Sequence, residues 1–255
     1  MKVSVIVPVY NRERYVGAAL RSLVRQRDDA DLDIIVVDDG STDGTAQIIQ
    51  QIMAEAACVR YVAQPNRGVT HARNAGLRLV PPEADLVTFL DSDDISTAGR
   101  FAQDLAHFKA DPALDLTYGL MRLVDHIDDD QLAAAPGCEG ITMRGVSLTT
   151  ALFRQRAIAP LKGFDENFAQ AEDLDFLLRL FERRPRYLLT DTVAILYRQH
   201  PDGMTKSAHE QMRRGVLQAV LRSAQRRKRD PSLGNIPPVF DMSALAGAPP
   251  KFDDC

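Results

Sequence analysis

The chain of 255 residues carries no glycine cradle for a phosphate: no Gly-x-Gly-x-x-Gly follows its first apolar run, and no Gly-Lys-Ser/Thr occurs anywhere. Dinucleotide-dependent dehydrogenases and P-loop enzymes are excluded by that absence. A basic field is missing too, since 31 Lys and Arg face 35 Asp and Glu and leave a formal charge of -4. Such a balance argues against general nucleic-acid binding, so any phosphate ligand must be held locally. Cysteine is scarce: Cys58, Cys138 and Cys255 are odd in number, far apart and without Cys-x-x-Cys spacing. Neither a disulfide framework nor a zinc site is expected from them, and a reducing, cytoplasmic setting fits best. No apolar run approaches the roughly 18 to 20 residues that span a bilayer. The apolar start is broken by Pro8 and meets Asn11-Arg12-Glu13-Arg14 at once, so no signal peptide is expected. No internal repeat is visible.

What is present is an alternation. With 45% hydrophobic residues the chain can fill a real core. Apolar runs at residues 3–7 and 86–90 read as buried strands, and 33–37 and 59–62 read as further strands. Helical spacing over 13–26, from after the 38–42 turn through 52, and over 68–79 separates them. Asn11 and Asp43 are expected to cap the first two helices. Strands and helices of this length imply parallel pairing with right-handed crossovers, hence an α/β sheet covered on both faces. Past Asp94 the rhythm changes. A helix is expected over 98–109, strands over 114–124 and 147–153, a helix over 171–183, and two short strands at 187–189 and 193–197. Residues 126–140 read as a mobile surface loop. A basic amphipathic helix is expected over 207–229, either lying on an anionic membrane or packed on the domain. A Pro-rich tail without its own core follows from 230 to 255.

Three successive strands end in conspicuous side chains, Tyr10-Asn11, Asp38-Asp39 and Asp91-Ser92-Asp93-Asp94, where parallel α/β sheets gather their ligands. An aromatic ring suits a nucleobase face, a carboxylate suits the ring N–H edge of uracil or guanine, and an acidic cluster suits a cation bridging phosphates. Each also has a plainer explanation: Tyr10 as core, Asp39 as a turn residue before Gly40, Asp91 as a helix cap. Arg73, Arg198 and His200 are the cations available to a diphosphate, although a surface salt bridge for Arg73 and a solvated loop for His200 would serve equally well.

Pro8-Val9-Tyr10-Asn11, Val37-Asp38-Asp39-Gly40-Ser41-Thr42-Asp43, Gly68 through Ala72-Arg73-Asn74-Ala75-Gly76, and Asp91-Ser92-Asp93-Asp94 occur in the order of the family 2 glycosyltransferases. The chain closely resembles that family over about residues 1 to 200. The resemblance implies a GT-A fold, a mixed and mainly parallel sheet whose Rossmann-like N-terminal half binds nucleotide, with helices on both faces. It implies inverting transfer from a nucleoside diphosphate sugar, most simply a UDP-sugar, to a glycan, lipid-linked or small-molecule hydroxyl, with Mg2+ or Mn2+. Donor contacts would fall to Pro8, Tyr10, Asp39, Arg73, Asp91, Arg198 and His200, and metal ligation to Asp91 and Asp93, with Asp94 as cap or support. The family's catalytic carboxylate is matched by the acidic pair Glu172-Asp173, which makes Asp173 the expected base. By position alone the pair could equally be acids favoured at a helix N-terminus. Tyr197-Arg198-Gln199-His200 looks like the family's later Arg-x-His segment. One departure is that Ala98-Gly99 stands where the family has a helix-opening proline.

The expected organisation is a donor half at 1–110, an acceptor-binding and catalytic half at 111–206, the basic helix at 207–229 and the tail. Acceptor choice is expected in 126–156. Two rivals remain at this point, a haloacid-dehalogenase-like phosphatase and a catalytically inactive nucleotide-binding module of the same fold.

Overall fold

A computed structural model describes residues 1–138, 140–200 and 209–239, with only the backbone of His209. The first two residues of the expected basic helix, most of the expected tail and Cys255 lie outside the described residues. The strands are β1 (Lys2–Val9), β2 (Asp31–Asp38), β3 (Val59–Ala63), β4 (Leu86–Phe89), β5 (Ile95–Ser96), β6 (Leu116–Val124), β7 (Ile127–Asp128), β8 (Ala133–Ala134), β9 (Ile141–Met143), β10 (Ala151–Arg154) and β11 (Tyr187–Arg198). The helices are α1 (Val16–Val24), α2 (Thr45–Glu55), α3 (Val69–Leu79), α4 (Arg100–Ala110), α5 (Gln155–Ile158), α6 (Glu172–Glu182) and α7 (His209–Arg229).

One nine-stranded sheet runs β3-β2-β1-β4-β10-β6-β11-β5, with β9 on β6. The first four strands of that path pair in parallel, as the intervening helices require, with β3 at the half-exposed edge. β10 then enters antiparallel between β4 and β6. The sheet therefore continues from the first half of the chain into the second. This is the GT-A arrangement of a mixed sheet.

Both faces are filled. Val5, Val7, Leu20, Leu23, Ile34 and Phe101 are fully buried on one side. On the other, Phe89, Phe153, Phe164 and Phe176 pack mostly edge to face, with Phe164 stacked on Phe176 at 4.4 Å between centroids.

Several local expectations are corrected. Asn11 does not cap α1, which begins only at Val16 without a side-chain cap. It adopts a left-handed φ of 49° and ties the strand ends together, its N–H donating to Ser41 Oγ (2.9 Å) and its Oδ1 accepting from Thr42 N–H (2.8 Å). Asp43 does serve the first turn of α2, accepting from Thr45 N–H at 3.0 Å. The two short strands expected near 187–197 are one strand, β11, with register shifts between Leu189 and Ile195. Residues 126–140 are not a featureless loop, since β7 and β8 form a small hairpin there. The described start of the tail docks: Val239 is buried, and Gly234 N–H donates to Glu182 O at 2.6 Å.

Half of the apolar stripe on α7 packs inward, with Met212, Val216 and the buried Ala219 against Phe168, Leu174 and Leu178. Leu217, Val220 and Leu221 face outward and are 59%, 41% and 51% exposed. α7 is further anchored by Arg226 on Asp175 and Glu182, and by Arg222 on Asp165. No helix among the described residues is long and apolar enough to cross a membrane.

Candidate active site

Register decides what meets at the carboxyl edge of the parallel strands. Val9 lies opposite Asp38, so β1 and β2 end level, while β4 ends at Phe89 opposite Ile6 and its following residues, Leu90 and the acidic turn, run on toward the same edge. A cleft of about 360 Å³ opens there, lined by Pro8, Tyr10, Arg12, Asp39, Asn66, Gly68, Asp91, Asp93, Asp94, Tyr197, Arg198 and His200 among others. Of the expected donor and metal residues, Pro8, Tyr10, Asp39, Asp91, Asp93, Arg198 and His200 are thus brought together. Tyr10 is half exposed, as a platform for a ring must be. Asp39 is buried and accepts from Gln64 Nε2 (2.7 Å), Arg67 N–H (3.0 Å) and Gly68 N–H (2.7 Å). It therefore shapes the 64–68 segment as well as facing the cleft.

The far wall comes from a hundred residues later. β5 follows the acidic turn directly and pairs with β11 at Ile195 and Leu196, which carries the chain back over residues 91–94. Arg198 N–H then donates to Asp94 Oδ1 (2.9 Å), Arg198 Nε to Asp93 O (2.9 Å), and its other end pairs with Asp129. His200 Nε2 and Arg12 Nε both meet Asp93 Oδ2, at 3.1 and 3.2 Å. Although burial works the other way, the hydrogen bond from His200 and the charge of Arg12 hold the Asp93 carboxyl below the ordinary carboxylate range. Asp94, buried beside Asp93 and Asp91, is pushed well above that range. Tyr15 lies against His200 and under the Arg198 guanidinium, at 4.8 and 4.9 Å between centres. Arg12 and Tyr15 were not foreseen; the Asn11-Arg12 junction, at the end of an apolar strand, was the signal available for Arg12.

The donor set offered to a cation is all oxygen. Asp91 uses Oδ1 toward Arg73 and Asp93 uses Oδ2 toward Arg12 and His200, which leaves each carboxylate a second oxygen. Two hard carboxylate oxygens beside a cleft fit Mg2+ or Mn2+, which combine one or two carboxylates with water and phosphate.

Arg73 and Asp173 do not line the cleft. Arg73 is buried in α3, with one guanidinium nitrogen 2.9 Å from Asp91 Oδ1 and another on Glu172. It joins the acidic turn after β4 to the start of α6 and is committed there to two carboxylates. Its neighbour Asn74 clamps the turn before α6, with Nδ2 donating to Phe164 O (3.1 Å) and Oδ1 accepting from Phe164 N–H (2.8 Å). Gly163 turns there at φ +89°, where a Cβ would meet Asn74 Oδ1. Ala171, just before α6, is left-handed at φ 64°, a strained conformation for alanine that sets the direction of Glu172 and Asp173. Glu172 is committed to Arg73. Asp173 has no cationic partner among the described residues, its Oδ1 accepting only from Leu174 N–H at 2.7 Å. Burial first, then repulsion from Glu172, outweigh the pull of Arg73 and push the Asp173 carboxyl up to about 7.

The model of the family described as glycosyl transferase family 2 matches residues 4–157. The chain belongs to that family. Chondroitin synthase of Escherichia coli is 30% identical over 187 residues, which are 72% of this chain and 27% of that one. Glycosyltransferase GlyA of Streptococcus pneumoniae is 41% identical over 93 residues, 36% of this chain and 13% of that one. The chain thus spans about a quarter or less of these relatives. Among solved structures, S. aureus TarS 1-349 in complex with UDP-GlcNAc superposes with a TM-score of 0.69 at 23% identity, covering 87% of this chain and 66% of that one. The mannosyltransferase PcManGT from Pyrobaculum calidifontis in complex with GDP-Man and Mn2+ gives 0.63 at 23%, covering 95% and 67%. These likenesses bear out the GT-A fold. Family membership removes the phosphatase reading.

Proposed function

We propose that the protein transfers a sugar with inversion from a nucleoside diphosphate sugar, in first place a UDP-sugar, to a hydroxyl acceptor, with Asp173 as general base. The observation that carries this reading is the position of the half-buried Asp173 carboxyl, without a cationic partner among the described residues and pushed up to about 7, beside a Glu172 that Arg73 ties to Asp91. A base of that strength can accept the acceptor's proton near neutral pH, as the hydroxyl oxygen attacks the anomeric carbon and the diphosphate leaves. Tyr10 would stack on the base and Asp39 accept from its ring N–H, sharing oxygens already used by the 64–68 segment. Asp91 and Asp93 would hold Mg2+ or Mn2+, which when bound supplies positive charge where the leaving diphosphate gains negative charge. Arg198 and His200 would close over that diphosphate, with Asp94 fixing the Arg198 backbone. Relatives named chondroitin synthase and hyaluronan synthase favour a glycan acceptor over lipid-linked and small-molecule ones.

Incubation with UDP-, GDP- and dTDP-sugars, acceptor mixtures and magnesium, with free nucleoside diphosphate as the readout, tests the transfer. Release above the rate without acceptor, abolished by EDTA, is expected; no release with any donor would leave an inactive nucleotide-binding module. Calorimetry with UDP, GDP and ADP tests the base contact, and tightest binding of ADP would overturn it.

The outward stripe of α7, bordered by Arg213, Arg214, Lys228 and Arg229, suits peripheral contact with an anionic membrane. Co-sedimentation with phosphatidylglycerol vesicles at low salt is expected, and its absence there would make the stripe a protein-facing surface.

A further inference from the structure

The excursion that leaves the sheet at the end of β6 and returns at β9 has a narrow neck. Met121–Leu123 and Ile141–Met143 are paired across it, His126 O accepts from Ala135 N–H at 3.1 Å, and Cys138 N–H turns back on Ala135 O at 3.1 Å. That return lays the Cys138 side chain against the strand end, where its thiol hydrogen-bonds to the Asp125 carboxyl. Asp125, His126 and Cys138 each offer one ligand atom, and the three atoms lie within 4.8 Å of one another. Among the described residues this is the one group of three or more His, Cys, Asp or Glu so placed. Asp125 Oδ1 is buried without a hydrogen-bond partner, while Oδ2 stands 3.5 Å from His126 Nδ1.

We propose that Asp125, His126 and Cys138 form a second metal site, for a zinc-type divalent ion, separate from the oxygen-only pair Asp91 and Asp93. A thiolate, an imidazole and a carboxylate together are the borderline donor set that selects zinc over magnesium, and three protein ligands leave one position for water. Bonds of about 2.0 to 2.3 Å put tetrahedral ligand atoms roughly 3.3 to 3.8 Å apart, so side-chain rotation of about an ångström closes the site. The cysteine pattern gave no such expectation, because two ligands adjacent in sequence meet the third only through the hairpin. Asp129, which pairs with Arg198 of the donor cleft, lies inside the same excursion. An ion at the neck therefore fixes the segment that holds one wall of that cleft, and binding releases the Cys138 proton.

Cobalt titration of the full chain in a Cys58→Ser, Cys255→Ser background tests the site, because only a thiolate ligand gives a near-ultraviolet charge-transfer band. One equivalent of Co2+ with that band, displaced by Zn2+ but not by millimolar Mg2+, is expected. Adding Asp93→Ala should leave the band intact, whereas adding Cys138→Ser should abolish it. His126→Ala and Asp125→Ala should each weaken binding at least about tenfold, no less than losing an outer-sphere partner of a ligand costs. Absence of the band in a folded protein, checked by circular dichroism, overturns the proposal. A band that both His126→Ala and Asp125→Ala leave at parental affinity overturns it too, by assigning the metal to an isolated thiol.

Discussion

The two halves of the cleft are built in opposite ways. On the side before residue 110, each parallel strand delivers its own functional end: Tyr10 follows β1, Asp39 follows β2 and the acidic turn follows β4. On the other side nothing is local. Asp173 is aimed by a left-handed Ala171, by Arg73 from α3 and by α7, and Arg198 and His200 arrive because β11 finds β5 across a hundred residues. The first side is a property of strand register, whereas the second is a property of packing. The first should therefore tolerate damage to the second.

Asp173→Asn is the sharpest break in that comparison. Transfer should fall by about 10² to 10⁴, the usual worth of a positioned base, while UDP affinity stays near parental by calorimetry. If nucleotide affinity collapses as well, Asp173 belongs to the donor side. Arg73→Ala breaks both sides together. It leaves Asp91 and Glu172 facing each other without their cation, and a loss of about 3 to 5 kcal/mol in urea denaturation is expected. Gly215→Ala is more selective. A Cβ at Gly215 would press on the Gln170 carbonyl, next to Ala171. Overpacking there should cost about 1 to 3 kcal/mol and lower transfer while UDP binding is retained. The mildest probe is pH. With the ionised Asp173 carboxylate as the proposed base and its folded value at about 7, kcat/KM should rise through pH 7 and level off above it. The stability sign is opposite. A carboxyl raised from its unfolded value near 4 binds its proton more tightly when folded, so Asp173 costs stability as pH climbs from about 4 to above 7. Asp173→Asn should accordingly melt higher than the parent at pH 8, with the advantage vanishing near pH 4.

Legibility in the sequence follows the same division. The strands of the first half could be read because fully buried parallel strands are continuous apolar runs, and their ends could be read because carboxylates cannot continue into a dry sheet. The acidic opening of α6 could be found by resemblance, but not its division of labour. Glu172 and Asp173 are alike as residues, and only the approach of Arg73 makes one an ion-pair partner and leaves the other as the proposed base. The two carboxylates that hold Arg73 were out of reach for the same reason, since Asp91 and Glu172 lie on separate elements and meet only in the fold. Asn11 looked like a cap because caps are short-range, whereas its actual partners lie on the neighbouring strand's loop.

The pairing of β5 with β11 also has a consequence for how the enzyme comes into being. Three walls of the cleft come from residues 8–94, whereas the wall carrying Arg198 and His200 is synthesised about a hundred residues later. Contacts of such sequence separation form late because loop closure must be paid for first. A nascent chain thus holds an acidic turn before the groups that later cover it have been made, and Arg198 and His200 reach that turn only once β11 has paired with β5. On the proposed function, full donor affinity would therefore report that the sheet has closed from end to end.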